Sequence, residues 1–337
     1  MDSGRRFLLA GHLFESLVVN PVPEPKPGFQ LPVKKLLLVL GVVATAYAVV
    51  LLLWGGGGTS SLALLWSWTG LQAAALCLVN YLLRGIRWRL WMAHYGRHFG
   101  WFEGLRLYLA GYAFTPTPGN IGEAVRGLLL ARQPLSTAQG LAIFGAERLA
   151  DLLCLLLLCL PATGWVLMHV RVQEVIQAAP QVFELLAGAA LLVLVLGFGV
   201  LMFYRKRLLQ RFVWLQEACL CLAQQPALWF VLTLTAWAAQ GLAVWLLCRA
   251  LEVHLPLLTA MGFYAVAMVA GALSALPAGL GGMEAVLTGL LVAQSATPPE
   301  ALAITVMARL LTLWLAVAIG IAALLYSAAI AKDIRFS

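Results

Sequence analysis

Two stretches of the chain, 161 residues apart, are each broken by Pro and Gly inside an apolar run, and each break is followed by a glutamate with an arginine 25 residues further on. In the first, Pro118-Gly119-Asn120-Ile121-Gly122 precedes Glu123, and Arg148 follows. In the second, Pro277-Ala278-Gly279-Leu280-Gly281-Gly282-Met283 precedes Glu284, and Arg309 follows. Laying one copy on the other from Glu123 to Leu149 gives 11 identities in 27 positions, including Glu123/Glu284, Gln133/Gln294 and Arg148/Arg309. Leu and Ala matches carry little weight in so apolar a chain, but polar matches do. A repeat built around interrupted apolar helices is the pattern of transporters whose broken helices meet at a central site.

The surroundings of these breaks decide the solvent. The chain is 62% hydrophobic and only 11% charged, with a mean hydropathy of +0.92, whereas soluble domains carry about a quarter charged residues. The expected fold class is therefore an all-α polytopic membrane protein. Apolar runs long enough to cross about 30 Å of hydrocarbon fall near 36–54, 60–83, 138–160, 182–204, 226–248 and 299–328, predicting six transmembrane helices. The regions 101–132 and 256–295 are broken centrally and are read as two re-entrant helical hairpins, whose irregular backbone must face protein or a watery cavity. Residues 1–35, with Pro21, Pro23, Pro25 and Pro27, read as an interfacial segment and stiff linker; 36–330 forms the membrane domain, with repeat halves at about 60–170 and 226–330, and 331–337 is a tail. No cleavable signal is expected, because the apolar run at 7–10 is too short.

Charge placement tests the topology separately. Lys34 and Lys35 precede the first span, Arg84, Arg87, Arg89 and Arg97 are read as following the second, Arg205, Lys206, Arg207 and Arg211 follow the fourth, and Lys332 and Arg335 follow the last. All fall on one side, which the positive-inside rule makes cytoplasmic, together with both termini. The net charge of +8 is then mostly a topology signal, although Arg84, Arg87 and Arg89 are also placed to meet anionic lipid heads. Three full spans separate the two broken regions, so the second hairpin is expected to enter from the opposite face, as an inverted repeat.

Chemistry-bearing residues are few. The helix at 138–160 holds Glu147, Arg148 and Asp151 near its middle, where each charge costs about 2.5–3.5 kcal/mol on insertion scales and so faces the bundle interior, to pair or to serve a pathway. Glu147 and Asp151 are one turn apart on one face. Arg309 has Ala308 and Thr312 in the places of those acids, leaving Glu284, Glu123 or a lipid phosphate as its partner. Asn120 with Glu123, and Gly281 with Glu284, have capping-box spacing, so each glutamate reads either as a cap or as a substrate contact. In both cases the half-helix starts at Asn120, Gly122, Gly281 and Gly282 present free N–H groups and a positive dipole end to an anion. Arg126, one turn further on, either adds charge to that site or snorkels to the interface. Tryptophans such as Trp66, Trp68, Trp88, Trp91 and Trp101 fit an interfacial belt. The six cysteines and five histidines form no metal or nucleophile constellation, and the chain has no nucleotide-binding loop. No metal, cofactor or nucleic acid is expected.

The strings Pro118 to Glu123 with Arg126, Glu147-Arg148-Leu149-Ala150-Asp151, Pro277 to Glu284, and Arg309 resemble the lysylphosphatidylglycerol synthase transmembrane-region family. Its members, also described as flippase-like, form the membrane half of multiple peptide resistance factor. The resemblance runs from about residue 35 to 330 and implies that these arginines and acids line a central cavity through which lipid head groups cross. No soluble aminoacyl-transfer domain is expected, so the resemblance is taken to imply translocation rather than aminoacylation. The expectation is a flippase of a phosphate-bearing lipid, phospholipid or polyprenyl-phosphate-linked, in the inner membrane, working by alternating access, with membrane lipids as partners and homo-oligomerisation left open. An intramembrane lipid-modifying transferase and a small-anion secondary transporter are the competing readings.

Overall fold

The computed structural model describes residues 62–117, 123, 126, 135–169, 213–274 and 276–336, together with Gly41 and Thr45. The backbone divides into two compact units, 1–38 and 39–337, and the first lies outside the described residues. So do most of the expected span at 36–54, all of that at 182–204, and Asn120 and Gly122.

Among the described residues every regular element is helical. Helix α1 spans Trp68–His94. Ser67 caps it by accepting from Gly70 N–H at 3.3 Å, and Gly96, at φ +71°, ends it in the left-handed turn that closes many helices. Helix α2, Trp101–Ala110, passes into a 3-10 turn at Gly111–Phe114 just before the first Pro/Gly break. Helix α3 covers Thr137–His169, α4 Val213–Ala223 and α5 Pro226–Ala250. Helix α6 runs Leu257–Leu273; after the second break, with its 3-10 turn Pro277–Gly279, comes α7, Gly282–Ala293. Helix α8, Pro298–Arg309, has Pro at its first turn and a Thr297/Glu300 capping box. It continues through a π-turn, Leu310–Trp314, into α9, Leu315–Phe336.

Helix lengths sort these elements. Pro226–Ala250 and Pro298–Ser327 are long and apolar enough to cross a membrane. At 1.5 Å per residue the 17 residues of α6 reach about 26 Å and the 12 of α7 about 18 Å, both short of a full hydrocarbon crossing. They pack on each other across the break, where Gly271 lies against Met283 and the backbone of Gly279.

The polarity of α3 is the reverse of a water-soluble helix. Leu152, Leu153, Leu156, Leu157 and Leu160 are exposed, while Ala142, Ala146, Ala150 and Cys154 are buried beside Glu147 and Asp151. An apolar outside and a small-residue inside suit a helix in lipid, where association depends on close packing rather than on water exclusion. Small residues allow that approach elsewhere too. A Cβ on Gly262 of α6 would lie 2.7 Å from the Ala162 backbone of α3, and one on Gly145 would meet the Trp214 ring of α4. Polar groups tie the bundle where backbones meet: Asn80 of α1 donates to the Ala236 carbonyl of α5 at 2.8 Å.

One expectation is corrected here. Arg84 and Arg87 do not follow the second span as a cytoplasmic anchor. They lie inside α1, 7% and 0% exposed, because the helix runs to His94 and turns this face toward α3 and α5. Arg89, on another face, lies over the Trp101 ring at 4.1 Å and donates to the Phe99 carbonyl.

Candidate functional site

The charged residues of α3 gather their partners from three directions. Asp151 accepts from Arg84 Nη2 at 2.6 Å, from Arg87 Nη1 at 2.7 Å and from Trp237 Nε1 of α5 at 3.2 Å. Glu147, one turn earlier, takes Arg126 Nη1 on both oxygens at 2.9 and 3.0 Å, with Arg87 Nη2 at 3.9 Å. Glu123 is the third acid. Its Oε2 accepts from Arg126 Nη2 at 2.5 Å and Arg148 Nη2 at 2.7 Å, and its Oε1 from the Thr115 hydroxyl at 2.9 Å. Arg126 therefore bridges two carboxylates while its guanidinium lies over the rings of Tyr108 and Tyr112 at 4.3 and 5.4 Å. It is 1% exposed, which removes the interface-snorkelling reading.

The sum of charges in this cluster is informative. Among the described residues four guanidinium groups face three carboxylates. An uncompensated buried charge is costly, and several kcal/mol of desolvation per ion is recovered only where partners are close and well directed. Arg148 carries the slack: its side chain is 32% exposed, it has one carboxylate contact, and its guanidinium lies over the Phe144 ring at 5.1 Å. A small cavity lies among Glu123, Arg126, Glu147, Phe144, Gly140 and Leu135.

The second copy is simpler. Arg309 Nε donates to Glu284 Oε1 at 2.6 Å, and its Nη2 donates to the carbonyls of Ala278 and Gly279, each at 3.1 Å. Glu284 Oε2 accepts the Gly281 N–H at 2.8 Å, so one carboxylate both caps α7 and holds Arg309. The break held in this way is conformationally demanding: Ala278, Gly279 and Gly281 have φ of +54°, +66° and +83°. Glycine adopts that region freely and alanine only at a cost, so the Arg309 bonds to these carbonyls help hold the turn at Ala278. Gly282 begins α7 against the Ser274 side chain.

Glu123–Arg148 and Glu284–Arg309 are thus bonded alike, each glutamate closing on the arginine 25 residues later. Arg148 and Arg309 each hold their own glutamate. Arg84 and Arg87 are the contributors the sequence reading missed. Their spacing of three, with Tyr81 one turn before Arg84, was the available signal, since it puts all three along one helix face.

The chain matches the family described as lysylphosphatidylglycerol synthase TM region over residues 38–320. It belongs to that family. The match spans every charged residue just described and places the chain in a membrane, as an all-helical domain of a type tied to lipid metabolism. Among curated proteins nothing matches the chain.

Proposed function

We propose that this family member moves a phosphate-bearing lipid across its membrane by alternating access. The observation that carries the reading is that, among the described residues, the cluster holds one more guanidinium than carboxylates, and the extra charge lies on Arg148, whose side chain is one-third exposed. A phosphate is the anion that such a site would accept, because a guanidinium offers it a planar pair of donors. Glu123 and Glu284 hold the arginines that a phosphate would compete for. The start of α7 at Gly282 adds a favourable helix dipole.

Under this reading six spans and two opposed re-entrant hairpins surround the pathway, the termini are cytoplasmic and the membrane is the inner one. Glu147 and Asp151 then set the charge of the cavity and hold no substrate themselves. Reconstitution of the protein in vesicles with a fluorescent anionic phospholipid tests the proposal. Arg148→Gln and Arg309→Gln should each slow its movement between leaflets by at least about tenfold, the scale of one lost charge-assisted contact. Mass spectrometry of lipid retained by the purified protein should find a phosphate-bearing species of unchanged mass. Unimpaired movement in both variants overturns the phosphate-binding role of these arginines, a covalently altered lipid favours the transferase, and uptake of a water-soluble anion alone favours the solute carrier.

A further inference from the structure

The helix that carries Arg309 does not continue as an α-helix past it. Residues Leu310–Trp314 form a π-turn, closed by the Leu315 N–H bonding to the Leu310 carbonyl five residues back. A π-turn accommodates one more residue than the α-helical turn it replaces. Each α-helical residue turns the chain by about 100°. Were this segment a plain α-helix, Arg309 would be rotated by about that angle relative to α9, and its three bonds to Glu284, Ala278 and Gly279 would be lost together. The corresponding stretch after Arg148, Leu149 to Leu153, is uninterrupted α-helix.

Wide turns of this kind leave backbone carbonyls without their usual partners, and here they have another donor. Tyr81 of α1 donates its hydroxyl to the Leu311 carbonyl at 2.8 Å, with the Thr312 carbonyl at 3.2 Å. The Thr312 hydroxyl takes the Ala308 carbonyl at 2.8 Å, removing a further acceptor from the α-helical ladder. Tyr81 is 3% exposed, and its ring lies 5.2 Å from that of Tyr112, whose neighbour in the first cluster is Arg126. Its hydroxyl is thus committed to the π-turn of α8–α9 rather than to a carboxylate.

We propose that Tyr81 is a positioning residue: by holding the π-turn open it aims Arg309 at the second break. The consequence for transport rests on the reading of Arg309 as part of the lipid pathway, whereas the positioning does not. Tyr81→Phe keeps the ring and removes the hydroxyl. It should lower the unfolding temperature of the full chain in detergent and slow lipid movement up to roughly tenfold, the upper end for one buried hydrogen bond.

Two backgrounds separate aiming from ordinary packing. In Glu284→Gln, where Arg309 has lost its ionic partner, Tyr81→Phe should have little further effect on unfolding temperature or transport, because both changes act on one interaction. Deletion of Leu310 removes the extra residue while leaving α8 and α9 facing as before, so Tyr81→Phe should become nearly silent in that background as well. Additive losses in the Glu284→Gln background, or a Tyr81→Phe protein indistinguishable from the parent, overturn the proposal. If the deletion variant does not fold, the Glu284→Gln pair decides alone. If no variant, nor the parent, moves lipid, the unfolding temperatures still report on positioning, and it is the transport reading that fails.

Discussion

The two Glu–Arg pairs share a spacing and a bond, but their surroundings differ. Glu123 is sealed, 2% exposed, and receives two arginines and a threonine hydroxyl; Glu284 has an 18% exposed side chain and receives one arginine and one backbone N–H. Around the first pair, α1 contributes Arg84 and Arg87, and α3 contributes Glu147 and Asp151. Around the second, Ala308 and Thr312 stand where those acids would be, and a π-turn stands where the helix would continue. One pair joins several helices by charge, and the other braces a strained turn. On the proposed transport reading, the first pair sets stability and anion selectivity, and the second sets the shape of the break.

The comparison breaks most visibly if the copies do not face opposite ways. Cysteines placed at Thr117 and Ala278 should react with an impermeant thiol reagent from opposite sides of sealed vesicles, an all-or-none difference. Labelling of both from one side would remove the inversion and the alternating-access argument with it.

The next largest effect is expected at Asp151. Its removal leaves Arg84 and Arg87 buried without their main acceptor, and breaking a buried pair in this way costs about 3–5 kcal/mol. Asp151→Asn should therefore lower the unfolding temperature sharply, whereas Thr312→Ala, the equivalent place in the second copy, should cost only about 1 kcal/mol through one hydroxyl bond to the Ala308 carbonyl. Comparable losses in the two variants would mean that the network is no more important to folding than the single pair.

Glu123→Gln and Glu284→Gln sharpen the same contrast. The first leaves two guanidinium groups with a neutral acceptor at a sealed site and should cost about 2–4 kcal/mol. The second acts on a partly exposed carboxylate, where solvent takes up some of the charge, and should cost about 1–2 kcal/mol. Unfolding monitored by tryptophan fluorescence ranks them, and the reverse order would contradict the assignment of stability to the first copy.

Legibility in the sequence followed the same division. The second break and the pairing of Glu with Arg at a spacing of 25 could be read because Pro, Gly and charge are rare in an apolar chain and local in their effect. Helices α5 and α8–α9 begin within a residue of the expected spans, since Pro226 and Pro298 mark their first turns. Arg84 and Arg87 were misassigned for a physical reason: an arginine near the end of an apolar run satisfies the positive-inside pattern whether it points to water or inward. Only the approach of α3, folded 64 and 67 residues away, shows that Asp151 draws both inward. The π-turn was not legible either, because Leu310 to Trp314 carries no Pro, Gly or charge; its Leu311 carbonyl accepts from Tyr81 of another helix.

The smallest expected effect comes from making one conservative change in both copies. Arg309 uses its fork fully: Nε to a carboxylate and Nη2 to two carbonyls of a left-handed turn. Lysine keeps the charge but cannot span those acceptors from one planar group, so Arg309→Lys should cost about 1–3 kcal/mol and loosen the turn at Ala278. Arg148 makes one contact to Glu123 from a side chain one-third exposed, and an ammonium reaches a single oxygen about as well as a guanidinium does. Arg148→Lys should therefore lose less than about 1 kcal/mol of stability, in line with a solvent-screened pair. It should still slow lipid movement, because phosphate recognition needs the two-pronged donor that folding does not. A stability loss at Arg148→Lys equal to that at Arg309→Lys would show that the exposed arginine is a structural brace after all, and would withdraw the one residue whose freedom makes the first site a place for an incoming anion.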